Sequence, residues 1–244
     1  MSIPPTPFAL LACDVFQEEL EALAGAQPPW SAIRYLEMGL HDRPDRLQDE
    51  ISKTIEELEM ATKVKTIALA YGRCGNGLVG VKANRCSLIL PQAHDCVSIL
   101  LGSRDRHSRL LKENPGTYFY SPGWVRGKRV PGPDREAYLR DFYAERYGDD
   151  EDMIDELVDV DRETFEHHNC AAYVDLTGNK EAKAYCQKCA HHLGWSYRSL
   201  DGDSSFLRDL IFGNWNDDRF LRVLPGQMIG ADTDGNLTAV LEHG

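Results

Sequence analysis

The chain has 244 residues, with 39 acidic against 27 basic side chains and a formal net charge of −12. That balance argues against nucleic acid and anionic membrane as partners, because both call for a basic face. A hydrophobic fraction of 42% is that of an ordinary globular protein, and the length allows one large domain or two small α/β lobes.

No apolar run approaches the ~18–20 residues that cross a bilayer, and Met1-Ser-Ile-Pro-Pro-Thr-Pro has no basic region leading into an apolar stretch. The expectation is a cytoplasmic protein without a membrane span. Its seven cysteines are then reduced, serving as ligands, nucleophiles or core packing.

In chain order, Phe8 to Cys13 reads as a strand, Gln17 to Leu23 as a helix, Ser31 to Leu36 as a strand and Pro44 to about Ala61 as a helix. The alternation continues with a strand from Lys65 to Tyr71, a glycine-rich turn with a short helix, and a strand from Ser87 to Pro91. A helix from Asp95 to Leu111 and a strand from Thr117 to Tyr120 follow. Alternation of this kind predicts an α/β fold with a doubly wound, mainly parallel sheet.

A Gly/Pro/basic loop lies between Val125 and Pro133, followed by a helix from Asp134 to Tyr147 and an acidic amphipathic helix or linker from Gly148 to Asp161. A shorter α/β pattern comes next, with strands Ala171 to Leu176, Trp195 to Leu200 and Phe220 to Leu224, and helices Lys180 to His192 and Ser205 to Phe212. Two Rossmann-like lobes are expected, residues 1–130 and 131–244, unless these form one continuous domain. The acidic run Gly148-Asp-Asp-Glu-Asp clusters its carboxylates without the spacing of a hard-metal loop and reads as a solvated face.

Ligand sites in parallel sheets form beyond the carboxyl ends of the strands. Four successive predicted strands each end near a cysteine or histidine: Cys13, His41, Cys74 and then His94-Asp-Cys96. These types suit zinc, iron or an iron–sulfur cluster, so Cys13, His41, Cys74 and Cys96 are the candidate metal ligands. The competing reading makes Cys13 and Cys96 small buried hydrophobes and His41 a helix cap.

His94 and Asp95 are the candidate acid–base residues, acting on a metal-bound water or substrate. Asp14 and Asp95 are also placed to cap helices. Gly72, Gly75 and Gly77 stand at a strand-to-helix turn where backbone N–H groups can hold an anion, although the spacing is neither a dinucleotide fingerprint nor a P-loop. Arg104 and Arg106 can meet an anionic substrate or form surface ion pairs.

The aromatic stretch Pro115 to Trp124 reads as packing and turn chemistry or as a pocket wall. Cys186-Gln-Lys-Cys189 with His191 and His192 resembles half a zinc site, for which His167, His168 and Cys170 would supply the rest. Helical periodicity instead puts Cys186 and Cys189 on an apolar face with Ala182, Tyr185 and Leu193.

The segments Ala70-Tyr-Gly-Arg-Cys74-Gly-Asn-Gly-Leu, Ala93-His-Asp-Cys96 with Leu100-Leu-Gly-Ser103, and Pro115-Gly-Thr-Tyr118 with Gly123-Trp124 resemble the family catalogued as domain of unknown function 1638. Ala12-Cys13 before Glu18-Glu19-Leu20, and Gly39-Leu-His41 before Pro44, fit the same pattern. Asp14 stands where members often carry a small residue. The family's frequent encoding beside corrinoid-dependent methyltransferases and their corrinoid proteins implies one-carbon metabolism of methylated amines or related compounds.

The combined expectation is a metal-dependent enzyme of one-carbon or corrinoid-linked methyl transfer. It would act on a small-molecule substrate, with a corrinoid protein or methyltransferase as partner. The alternatives are a non-catalytic metal- or corrinoid-binding accessory protein of such a system, and a metal-free module whose 72–77 turn holds an anion.

Overall fold

The computed structural model describes residues 7–148 and 150–241. Their contacts divide the chain into two compact units, one running through His107 and resuming at Gly202, the other Ser108–Asp201. This differs from the division expected at 130/131: the second unit is an insertion, and the chain returns from it to complete the first.

In the first unit, strands β1 (Ala9–Cys13), β2 (Ala32–Leu36), β3 (Thr66–Ala70) and β4 (Ser87–Pro91) pair in parallel in the order β2-β1-β3-β4. The apolar runs behave as sequence patterning requires of a doubly wound sheet: β1 is buried along its whole length, which needs cover on both faces. Helix α1 (Gln17–Ala24) and the long amphipathic α2 (Pro44–Ala61) supply part of that cover, with α2 packing on β1 and β2 through Leu47, Ile51, Ile55 and Leu58. At ~1.5–3 kcal/mol per fully buried large apolar side chain, this stripe is what holds α2 to the sheet.

The helix expected from Asp95 to Leu111 is two helices, α3 (Cys96–Leu100) and α4 (Arg104–Glu113). The break falls at Gly102, whose φ of +69° a side chain tolerates poorly and against which Asp203 packs too closely to admit a Cβ.

Seven further elements lie in the second unit. They are β5 (Thr117–Tyr120), α5 (Pro122–Arg126), α6 (Arg135–Tyr147), α7 (Glu151–Glu163), β6 (Cys170–Asp175), α8 (Lys180–Leu193) and β7 (Ser196–Asp201). The three strands form a parallel sheet in the order β5-β6-β7. Its core joins Tyr120, Tyr173, Ala182, Cys186 and Cys189. The Tyr120 hydroxyl is satisfied by donating to the carbonyl oxygen of Pro131 at 2.8 Å.

The chain then completes the first unit with α9 (Ser205–Phe212), β8 (Phe220–Val223), β9 (Gln227–Ala231) and β10 (Leu237–Leu241). Helix α9 packs on β3 and β4 through Phe206, Leu207, Leu210 and Ile211. Strand β8 extends the sheet antiparallel to β4, and β9 and β10 form an antiparallel hairpin. Among the described residues no helix is long and apolar enough to cross a membrane.

Candidate functional site

The strand order β2-β1-β3-β4 places a topological switch point between β1 and β3, since the chain leaves β1 toward one edge and crosses back to build the other. Crevices beyond the carboxyl ends at such a point are where α/β sheets bind ligands. One residue past the last registered pair, Ala12 with Ala70, stand Cys13 and Tyr71.

Tyr71 is 2% exposed, and among the described residues its hydroxyl has no hydrogen-bond partner. Burial holds the phenol well above its ordinary range, with further upward pushes from Cys13, Cys96, Cys74 and Asp14, which identifies the groups around it. Cys96 is in hydrogen-bond contact with Cys13 and with Cys74, and these contacts, followed by burial, push its thiol well above the usual range. Three thiols from three strand ends therefore share one neighbourhood with a buried phenol. Among the described residues, no three or more His, Cys, Asp and Glu side chains are drawn into the arrangement of a metal polyhedron.

Two loops bring Cys74 to Cys96. The amide of Arg73 donates to the carbonyl of Ala93 (2.9 Å) and that of Cys74 to the carbonyl of His94 (3.1 Å). Gly72 permits this approach, because a Cβ there would stand 2.7 Å from the Asp95 backbone. Cys74, Gly75 and Asn76 then run through the left-handed region (φ 47°, 65° and 74°). A non-glycine residue held there is strained, and such strain collects at functional sites. Gly77 has a different role: a Cβ on it would meet the Leu47 side chain at 2.6 Å, so it admits α2.

Asp95 caps α3, its Oδ1 accepting from the Ser98 amide (2.7 Å) and hydroxyl (2.8 Å). His107 Nδ1 lies 3.1 Å from Ser98 Oγ and 3.4 Å from Asp95 Oδ2. This Asp–Ser–His set is not a nucleophilic triad, since Ser98 is fully buried and one imidazole nitrogen faces both partners. It fixes the start of α3, which Cys96 opens. His94 Nε2 lies 2.9 Å from Arg104 Nη2, and burial and then the Arg104 charge hold this imidazole below its ordinary range.

His41 is exposed in the turn after β2 and pairs with Asp42 at 3.2 Å; the group surrounding Tyr71 does not include it. In the second unit Cys186 and Cys189 are fully buried on α8, while His191 and His192 are exposed on the same helix. Burial pushes Cys189 up to about 11 and Cys186 higher, as in a packed apolar core. His168 lies among Tyr118, Phe165 and Trp195. A cavity of about 470 Å³ in this unit is lined by Arg135 and Asp161, whose charges satisfy each other through two contacts of 2.6 Å.

Tyr71 is the residue that sequence reasoning gave no role beyond the end of a strand. The available signal was a polar-tipped aromatic one residue beyond a buried strand, beside Cys13 in register. Fold and site together define a doubly wound α/β chain with a three-thiol group at its switch point. The family model "Protein of unknown function (DUF1638)" matches residues 35–211, well over half of the chain, and the protein belongs to that family. The match takes in Cys74 and Cys96 and begins after Cys13. No curated protein and no solved structure matches the chain.

Proposed function

We propose that the protein is a metal-dependent enzyme whose soft transition-metal centre, zinc or iron–sulfur, is held by Cys13, Cys74 and Cys96. The observation that carries the reading is the meeting of three thiols from three strand ends at the switch point, beside the unpartnered hydroxyl of Tyr71. Deprotonated, three thiolates fit zinc or three irons of a four-iron cluster and leave one coordination position for substrate. A metal bound there would have to displace the Cys96 proton, which the neighbouring thiols and burial hold in place.

A metal held here would supply Lewis acidity or activate a bound thiol. The one-carbon reading rests on the company the family keeps. A methyl group would pass to the activated sulfur, the S–C bond forming as the donor keeps the electron pair of the bond that breaks. Tyr71 would donate a hydrogen bond toward the bound group, and His94 would exchange a proton with it.

The test is elemental analysis and a visible spectrum of protein purified without oxygen, beside Cys74→Ser and Cys96→Ser. One stoichiometric metal or cluster lost in both variants supports the reading, and broad charge-transfer absorption selects a cluster over zinc. Tight metal binding without turnover on methyl donors would favour the accessory role; no metal in any sample removes the proposal.

A further inference from the structure

Beside the thiol group the first unit carries two arginines with only neutral partners. Arg73 Nη1 donates to the carbonyl of Gly235 (2.7 Å), while Arg104 Nη2 donates to Asn236 Oδ1 (2.9 Å) and faces His94 Nε2 at the same distance. Among the described residues no carboxylate pairs with either guanidinium, in a chain whose acidic side chains outnumber its basic ones. Together with Gln92 and the backbone of residues 235–237 they line a shallow hollow that holds no enclosed room for a water molecule while these contacts are made, so an anion enters it only by displacing the Gly235 and Asn236 oxygens from the guanidiniums.

The hollow has a defined floor. Asp232 holds its turn by accepting from the amide of Asn236 (2.7 Å) and from its side-chain nitrogen (3.0 Å), which aims the Asn236 carbonyl at Arg104. Gly235 is required where Arg73 crosses, because its φ of +76° disfavours a side chain and any Cβ would collide with the guanidinium. Gln92 Nε2 donates to the carbonyl of Leu237 (2.9 Å), tying the hairpin to the loop after β4.

We propose that Arg73 and Arg104 form a subsite for an oxyanion, a carboxylate or a phosphate, on the substrate of this protein. The two guanidiniums rest on a peptide oxygen, an amide oxygen and an imidazole nitrogen. An anion replaces these neutral acceptors with charge-assisted hydrogen bonds of roughly twice the strength. Arg73 directly precedes Cys74, and His94 stands two residues before Cys96, so an anion held here sets the rest of a small molecule over the thiols. That last step rests on the metal-centre reading; the anion site itself does not.

The experiment is calorimetric titration of the full chain with inorganic phosphate and, separately, sodium acetate at constant ionic strength, using wild type, Arg104→Gln, Arg73→Gln, Arg73→Lys and Cys96→Ser. Wild type binds one of the two anions, which tells a phosphate-bearing from a carboxylate-bearing ligand. Each Gln variant weakens binding by roughly tenfold or more, the loss expected for one charge-assisted contact. Arg73→Lys recovers part of the affinity, and Cys96→Ser binds as wild type does.

Metal content is measured on the same samples. Arg104→Gln with its metal retained and its anion affinity lost supports the subsite; no metal in any sample, wild type included, with anion affinity still lost in the Gln variants, removes the metal reading alone. Equal affinity in wild type and both Gln variants, or no binding of either anion, overturns the subsite.

Discussion

The amide of Cys74 donates to the carbonyl of His94 at 3.1 Å, and this contact ties the loop after β3 to the loop after β4. Thiols on two separate strand ends meet because their loops are joined in this way. The joint depends on Gly72, whose added Cβ would stand 2.7 to 2.8 Å from three backbone atoms of Asp95, none of which can rotate away. Gly72→Ala is expected to fold with a loss of ~1–3 kcal/mol, the range for overpacking, and, if Cys13, Cys74 and Cys96 hold a metal as proposed, to lose most of it. Urea unfolding and metal content are the measurements; a destabilised variant that keeps a full complement of metal would separate Gly72 from the site.

Tyr71 offers a change whose effects on stability and function should point in opposite directions. Its buried hydroxyl lacks a partner among the described residues, and an unsatisfied buried polar group is a net cost. Tyr71→Phe should therefore match wild type in stability or exceed it by up to ~1 kcal/mol. If the hydroxyl supports a metal-bound group, metal affinity falls ~10-fold or more, as for other outer partners of metal sites. Chelator competition reads this directly, and unchanged affinity would reduce Tyr71 to core packing.

Much of the first sheet was legible in the sequence. Strands such as Ala9–Cys13 and Ser87–Pro91 are continuous apolar runs because helices cover both faces, and Cys13, Cys74 and Cys96 follow from reading the strand ends together. The insertion of Ser108–Asp201 was not legible, because the return of the chain at Gly202 depends on long-range packing that leaves no local composition signal. Nor was the antiparallel β8, whose pairing of Phe220 with Pro91 is decided by the edge left open on β4. The break at Gly102 was within reach, since glycine inside a helical pattern is a stop signal. Arg73 escaped notice because its partner Gly235 lies 162 residues away.

Cys186 distinguishes a packed core from a second metal site. It is fully buried in a core cluster with Tyr120, Tyr173 and Ala182, and burial keeps its thiol protonated. Cys186→Ser exchanges a weakly polar thiol for a hydroxyl in that apolar setting and should cost ~1–3 kcal/mol, while metal content stays at the wild-type value. A change in metal stoichiometry would restore Cys170, Cys186, Cys189, His191 and His192 as a second site.

His168 is placed to make the stability of the second unit sensitive to acid. Its ring stands 5.4 Å from Tyr118 and 5.7 Å from Trp195, and its Nδ1 is buried without a hydrogen-bond partner among the described residues. Burial, and to a smaller extent the charge of His167, hold this imidazole below its ordinary range, against an upward push from the backbone at Phe165. Between the lowered value in the folded chain and ~6.5 in the unfolded chain, the unfolded state binds the extra proton. Stability therefore falls as the pH drops through that window and levels off beneath the folded-state value. His168→Phe keeps an aromatic ring against Tyr118 and Trp195 but cannot be protonated. Its unfolding free energy should depend less steeply on pH between about 7 and 5 than that of wild type. Urea titrations at several pH values measure both slopes, and parallel curves would assign the acid sensitivity to other groups.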